Sequence, residues 1–250
     1  MSKSPHILYG RHSALAAIAN PMRKIKRVLV TANTRKEIGE GVFAGLKTVS
    51  VVDAGKLESQ LPKDAVHQGI AVECEPLQQP SLHEWLSEGI KKPVLLLDQV
   101  SDPHNVGAIL RSAAAFDAGC VIVTDRNAPS ESGIMAKTAS SALEIVPLIS
   151  VSNLSQAIET LKKHDYWVAG LDGDAKQTIG EAKLDNKTAL VLGAEGKGLR
   201  RLTAEHCDYL VKLPMSDRME SLNVSNAAAV ALYELYTKCH PALVAGSRAS

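Results

Sequence analysis

Three short stretches of the chain combine polar side chains with glycine at spacings that suit a ligand site. The first is Asp98-Gln-Val-Ser-Asp-Pro-His-Asn105-Val-Gly107-Ala-Ile-Leu-Arg111-Ser. Asp102-Pro103 stops an apolar run, and Asn105 or the residue before it opens a helix. Arg111 follows two turns in, on a face otherwise occupied by small and apolar residues. Gly107 in the first helical turn costs about 1 kcal/mol relative to alanine, so its presence suggests close approach by a ligand or another backbone. The second stretch is Leu192-Gly193-Ala-Glu195-Gly196-Lys-Gly198-Leu. Its glycines let the backbone come close to a bound molecule, and the carboxylate in this tight loop needs a partner. The spacing matches neither the dinucleotide fingerprint nor a Walker phosphate loop. The third is Leu213-Pro-Met215-Ser-Asp-Arg-Met-Glu-Ser221-Leu222-Asn223-Val-Ser225-Asn226. There Ser221 or Asn223 caps an alanine-rich helix, and capping alone does not account for four polar residues. For the first stretch, a capping Asn with a surface Arg paired to an acid remains the alternative.

The elements that would position these stretches alternate. Apolar runs at Val94–Asp98, Cys120–Thr124, Val146–Ile149, Trp167–Leu171, Ala189–Leu192 and Tyr209–Leu213 read as strands of a parallel sheet covered on both faces. Helix-length segments at 105–117, 133–144, 153–164 and 223–237 lie between or after them, which predicts an open α/β sheet. Ligands of such sheets sit beyond the carboxyl ends of the strands. The places to search are therefore the loops after Leu97, Leu171, Leu192 and Leu213, and three of these four carry the stretches above. Upstream, a short helix from Gly10 to Asn20 and β-branched runs at Val28–Thr31, Val49–Asp53 and Ile70–Glu73 predict a small α/β domain over residues 1–75. Residues 76–92 read as linker and entry segment, 93–239 as the large domain and 240–250 as a flexible tail.

Charge divides along the same boundary. Residues 1–80 carry eleven Lys/Arg against seven Asp/Glu, whereas residues 81–250 carry seventeen against twenty. Arg23, Lys24, Lys26 and Arg27 form a tight basic cluster. A basic small domain joined to a mildly acidic large one fits a nucleic-acid reader attached to a catalytic body. No run reaches the roughly 18 apolar residues of a membrane helix, and the start lacks the features of a secretory signal. Cys74, Cys120, Cys207 and Cys239 stand far apart without metal or redox spacing, as reduced thiols in a cytoplasmic protein would. No metal site is expected.

In this order and at these distances, the Asn105…Arg111, Gly193-Ala-Glu195-Gly196 and Ser221-Leu-Asn-Val-Ser225 stretches resemble the three motifs of the SpoU (TrmH-like) branch of the SPOUT RNA 2′-O-ribose methyltransferases. The resemblance covers nearly the whole chain. Tyr9-Gly10-Arg11-His12-Ser13 and Val66-His67-Gln68-Gly69-Ile70 look like the N-terminal substrate-binding domain of the RlmB-like subgroup, which methylates a guanosine of 23S-type ribosomal RNA. Asn226 departs from the small apolar residue usual in the family.

The resemblance implies a small substrate-binding domain ahead of a SPOUT domain with a deep trefoil knot, and a homodimer packed through the knot. It implies S-adenosylmethionine as cofactor and RNA, not DNA, as substrate. Candidate catalytic residues are then Arg111, Asn105, Glu195, Ser221 and Asn223. The cofactor would be held around Leu171, Leu192, Gly193, Gly196, Leu213, Met215 and Leu222. Arg11, His12, Arg23, Lys24, Lys26 and Arg27 would contact RNA. Because guanidinium is effectively always charged, Arg111 is better suited to gripping a phosphate and stabilising a developing alkoxide than to acting as a base. Transfer RNA is the alternative substrate. A non-catalytic RNA-binding protein and a nucleotide-dependent enzyme without RNA are the alternatives of other classes.

Overall fold

The computed structural model describes residues 6–63, 65–126, 128, 133–216 and 218–242. In chain order it contains β1 (His6–Tyr9), α1 (Arg11–Ala19), β2 (Ile25–Val30), α2 (Ala32–Ile38), a 3₁₀ turn (Glu40–Phe43), β3 (Val49–Val51), α3 (Ala54–Glu58) and β4 (Ile70–Cys74). Then follow α4 (Leu82–Ser87), β5 (Val94–Asp98), α5 (Pro103–Ala115), β6 (Cys120–Thr124), α6 (Gly133–Ala139), a second 3₁₀ turn (Ser140–Glu144), β7 (Leu148–Val151) and α7 (Leu154–Lys162). The last elements are β8 (Trp167–Leu171), β9 (Gln177–Thr178), β10 (Thr188–Gly193), α8 (Arg201–Glu205), β11 (Tyr209–Lys212) and α9 (Val224–Cys239). Among the described residues no helix is long and apolar enough to cross a membrane. Of the expected tail, residues 243–250 lie outside the described residues.

The chain forms two compact units, one of residues 1–78 and 129–145, the other of 79–128 and 146–250. The first holds a sheet of order β1-β4-β2-β3, with β4 antiparallel to β1 and β2, and β2 parallel to β3. Strand β1 was not expected: four residues between Pro5 and Gly10 show little pattern of their own, and their pairing with β4 makes them a strand. Tyr9, Leu29, Leu57 and Ala71 form a core against which Ile7, Val52, Leu61 and Ala65 pack.

Residues 133–144, expected as a helix of the large domain, belong instead to this first unit. Only Gly133–Ala139 are α-helical before the chain tightens into a 3₁₀ turn at Ser140, whose φ is +58°. A Cβ on Gly133 would lie 2.3 Å from the Tyr9 ring, so glycine is required there. Ser13 Oγ donates to the Ala136 carbonyl at 2.9 Å. Glu144 accepts from Asn20 Nδ2 at 2.7 Å and from Nε and Nη2 of Arg23, whose side chain has no exposed surface. A buried carboxylate needs such a partner, and it finds one in a helix-flanking turn more than a hundred residues upstream.

The second unit is an α/β fold on a seven-stranded sheet of order β7-β6-β5-β10-β8-β11-β9, parallel at every pairing. One face packs Leu96, Ile122, Val168 and Val191 against Trp85 and Leu86 of α4 and against Ile158 and Leu161 of α7. Helices α5 and α9 pack on each other and on β6 and β10. Strand β7 begins two residues later than expected, because Pro147 has no N–H to give; its carbonyl still accepts from Val121 at 2.9 Å. Within the stretch expected as a linker, α4 is closed by a capping box: Glu84 N–H donates to Ser81 Oγ at 3.2 Å, and Ser81 N–H to Glu84 at 2.8 Å. The Ser81 hydroxyl, which donates to Glu84 Oε2 at 2.7 Å, and then the Ser81 N–H hold the Glu84 carboxyl below its ordinary value.

Candidate active site

The register of the large sheet brings the carboxyl ends of four strands side by side. Gly193, last in β10, pairs with Asp98, last in β5. Val191 of β10 pairs with Gly170 of β8, and Leu171, the end of β8, pairs with Val211 of β11. Leu192 and Leu213 are buried here, Leu171 and Leu222 are half-buried, and Met215 and Ser221 are exposed.

The glycine-rich loop after β10 folds onto itself. Ala194 bridges Gly198, and a Cβ on Gly193 would lie 2.1 Å from the Gly198 carbonyl carbon. Gly193 is therefore demanded by the chain's own backbone, a tighter reason than ligand approach. Gly196 and Gly198 have φ of +74° and +63°, which side chains other than glycine adopt at a cost. The loop ends at Arg200, whose backbone N–H and Nε donate to Asp98 Oδ2 and Oδ1 at 3.0 and 2.6 Å. Asp98 is 1% exposed. This pair was not anticipated; its signal was the carboxylate closing an otherwise apolar strand.

Helix α5 is capped by Asp102, which accepts from His104 N–H at 3.0 Å, with Pro103 in the first helical position. Asn105 is thus not the cap, and its side chain is released for another partner. That partner is Asn223, which caps α9. Asn223 Nδ2 donates to Asn105 Oδ1 at 3.1 Å and to Glu195 Oε2 at 3.3 Å. Its own Oδ1 accepts from Ser225 N–H at 2.9 Å and Ser225 Oγ at 2.6 Å. One amide therefore ties together one residue from each of the three stretches.

Arg111 is exposed and stands outside this trio. It is six positions along the helix from Asn105, about 9 Å along the axis and about 120° around it.

The basic cluster of the first unit is less uniform than its sequence. Arg23 is withdrawn from the surface by Glu144, so it is a core ion pair and not an accessible phosphate contact. Arg27 is paired with Glu73 at 2.6 Å and Lys24 with Glu75 at 3.5 Å, while Lys26 is exposed. Arg11 pairs with Glu37 at 3.0 Å, and its backbone N–H donates to Gln68 Oε1 at 2.9 Å; His12 is exposed.

The thiols are poor nucleophiles. Burial raises the Cys120 thiol far above its ordinary range and pushes Cys207 up to about 12. No cluster of three or more His, Cys, Asp or Glu suited to a metal occurs among the described residues.

Residues 92–233 match the SpoU rRNA methylase family, and residues 7–80 match the RNA 2′-O ribose methyltransferase substrate-binding family. The chain belongs to the SpoU rRNA methylase family. Its relatives include the 23S rRNA (guanosine-2′-O-)-methyltransferase RlmB of Pseudomonas putida, 38% identical over 91% of this chain and 94% of the relative. RlmB of Yersinia pestis is 39% identical over 92% of this chain and 96% of the relative. Among solved structures, an AdoMet-bound rRNA methyltransferase from Sinorhizobium meliloti shares the fold, with TM-score 0.77 and 19% identity over 94% of this chain and 87% of that one. The resemblance read from the three loops and from the Tyr9-Gly10-Arg11 and His67-Gln68-Gly69 stretches is thus to the right family and subgroup. In this SpoU-family chain the three polar stretches meet at Asn223.

Proposed function

We propose that this SpoU-family protein is an enzyme that transfers a methyl group from S-adenosylmethionine to a ribose 2′-oxygen of RNA, at a guanosine of 23S-type ribosomal RNA. The observation that carries the reading is the Asn105–Asn223–Glu195 junction at the carboxyl ends of a parallel sheet, where the fold class places its ligands. The substrate follows from the RlmB relatives, which match this chain over nine-tenths of its length. DNA lacks the acceptor hydroxyl and is not a substrate.

The residues present suit the cofactor. Leu171, Leu192, Leu213 and Leu222 supply apolar walls for an adenine ring, Met215 a polarisable one, and the loop backbone at Gly193 and Gly196 supplies polar groups at close range. When bound, S-adenosylmethionine supplies an electrophilic methyl on a sulfonium. The protein's task is alignment, which can lower a barrier by up to roughly 7–11 kcal/mol. Glu195 holds Asn223, and Asn223 holds Asn105, so that the loops keep one geometry. Ser221, exposed, holds the ribose, and Asn223, whose amide is fully bonded to Asn105, Glu195 and Ser225, keeps the loop around it in place. Arg111, exposed and permanently charged, grips the adjoining phosphate and stabilises the alkoxide that develops as the hydroxyl loses its proton.

Two further features belong to this reading. The family resemblance implies a deep trefoil knot in this part of the chain, where the later strand β10 lies between β5 and β8, and β11 between β8 and β9. Asn226, Val230 and Tyr233 lie exposed along α9 at helical spacing, which supports a homodimer. Light scattering at about 27 kDa, unchanged up to high concentration, would refute the dimer. We assign RNA reading to residues 1–75 and catalysis to 93–239 apart from the 133–144 segment that packs in the first unit, joined through 76–92, in a cytoplasmic protein. Mapping ribose methylation in ribosomal and transfer RNA from cells with and without the gene tests the whole. Loss of one 23S guanosine methyl is the expected result; loss from transfer RNA alone would move the substrate, and no loss would overturn the proposal.

A further inference from the structure

Arginine–carboxylate pairs in this protein differ in how they use the guanidinium. Arg23 gives both Nε and Nη2 to Glu144, and the surface Arg35 gives both Nε and Nη2 to Glu40 at 2.8 and 2.6 Å. This two-pronged pairing is the usual geometry between guanidinium and carboxylate. Arg200 does otherwise. It offers Asp98 its backbone N–H and Nε, and neither Nη has a protein partner among the described residues. Its side chain is 48% exposed, although the carboxylate that holds it has no exposed surface at all. The result is a guanidinium anchored on one edge by a buried charge, with the opposite edge turned out of the pairing. Its neighbour Arg201 is 79% exposed and pairs on the surface with Glu205, so it has no comparable anchor.

Arg200 lies at the end of the loop that carries Glu195. Asp98 is the residue beside Gly193 in the sheet. Anchor and loop therefore sit at the strand ends that hold the Asn105–Asn223–Glu195 junction. Lys197, exposed on the same loop, adds a second positive charge. A fork of Nη donors fixed in place before any ligand arrives is suited to two oxygens of one anionic group, and loses little side-chain freedom on binding it.

We infer that the Nη edge of Arg200 is a receptor for a phosphodiester of the RNA substrate, and that Asp98 is the positioning residue that aims it. The inference rests on the RNA reading above. It adds, beside Arg111, a second phosphate contact in the catalytic unit, whose charge is net negative over its length. The other anion with the same chemistry is the carboxylate of S-adenosylmethionine, and the two are separable by experiment.

The full-length protein is titrated with a single-stranded RNA oligonucleotide at several salt concentrations, and separately with S-adenosylmethionine by calorimetry. For Arg200→Gln, RNA binding should weaken by about tenfold or more, as for loss of a charge-assisted contact. The log–log salt slope should flatten by about 0.7, as for one single-strand phosphate, with cofactor affinity within about twofold of wild type. Asp98→Asn keeps the charge of Arg200 and an acceptor for its N–H. It should weaken RNA binding several-fold at an unchanged slope. If Arg200→Gln fails to fold by tryptophan fluorescence, the Asp98→Asn/Arg200→Gln pair removes the uncompensated buried charge and takes its place. An unchanged slope in the Arg200 variant overturns the inference, as does a tenfold loss of cofactor affinity with RNA binding intact. Because these are binding measurements, they stand apart from turnover: a wild-type protein that binds RNA but methylates none would sink the proposed function alone.

Discussion

Replacing Glu144 with leucine should lower the stability of the first unit in a denaturation experiment. Glu144 accepts from Asn20 Nδ2 at 2.7 Å, from Arg23 Nε at 3.2 Å and from Arg23 Nη2. Its side chain is 6% exposed and that of Arg23 is 0% exposed, so solvent cannot replace what is lost. Removing one partner of a buried pair costs about 3–5 kcal/mol. Arg23 keeps the Glu75 carbonyl, which accepts from Nη1 at 3.1 Å, and this places the cost near 3 kcal/mol. Against a domain stability of about 5–15 kcal/mol, that is a large fraction. With a urea slope of about 1–3 kcal/mol/M, the midpoint for the first unit should fall by about 1–3 M. Both tryptophans, Trp85 and Trp167, lie in the second unit. Tryptophan fluorescence should therefore keep its wild-type midpoint while far-ultraviolet circular dichroism gains an earlier transition. Arg23→Met alone should behave like Glu144→Leu, and the double variant should recover most of the loss, because an apolar pair leaves no buried charge. A single-variant midpoint within 0.3 M of wild type, about a tenth of the upper figure, would refute the reasoning, as would a double variant no better than either single.

Arg111→Ala should lower single-turnover methyl transfer by about 10²–10³ while calorimetry finds cofactor affinity within a few-fold. Asn223→Asp keeps the cap on Ser225 but sets a second carboxylate against Glu195, now 3.3 Å from the amide; thermal stability should stay near wild type and turnover should fall more than tenfold. Asn223→Ala should also lose about 1 kcal/mol of cap energy, read as a lower melting temperature. Gly193→Ala must displace backbone 2.1 Å away, whereas a Cβ on Gly196 meets nothing within 4 Å. The first substitution should destabilise and weaken cofactor binding, and the second should cost only the roughly 1–2 kcal/mol of its positive φ. Burial holds the Cys207 thiol at about 12, above its ordinary value, so its thiolate is scarce at pH 8 and grows only as pH rises. Iodoacetamide labelling of native protein at pH 8 should leave Cys207, Cys120 and Cys74 unmodified, and denaturant should release them.

Much of the large sheet was legible because buried parallel strands are continuous apolar runs, and Val94–Asp98, Cys120–Thr124 and Trp167–Leu171 were read to the residue. The failures share a physical cause. Strands β1 and β9 and the membership of Gly133–Glu144 are decided by partners distant in sequence: β4, β11 and Arg23 respectively. A four-residue strand or a short helix has no periodicity long enough to announce itself. Helix α4 was different, since Ser81 and Glu84 stand at capping-box spacing ahead of a Leu-Trp-Leu face, and that signal lay in plain view within a stretch read as linker.

At the site, residue types and spacing were enough to bring Asn105, Glu195 and Asn223 forward, but not to say what each would touch. Asn105 had two available roles, helix cap or site residue, and Asp102 removes the first by taking the cap. The same competition operates at Arg23, where charge and neighbours suggested a surface cluster and one buried carboxylate outbid solvent. In both places the deciding residue was a carboxylate whose own burial or position could not be read locally. Asp98 repeats the pattern with Arg200. Carboxylates at a strand end, a helix start and the end of a 3₁₀ turn are thus the residues through which this sequence assigns roles to its amides and arginines. Changing Asp98, Asp102 or Glu144 should therefore alter the function or stability of residues that sequence spacing alone would treat as independent of them.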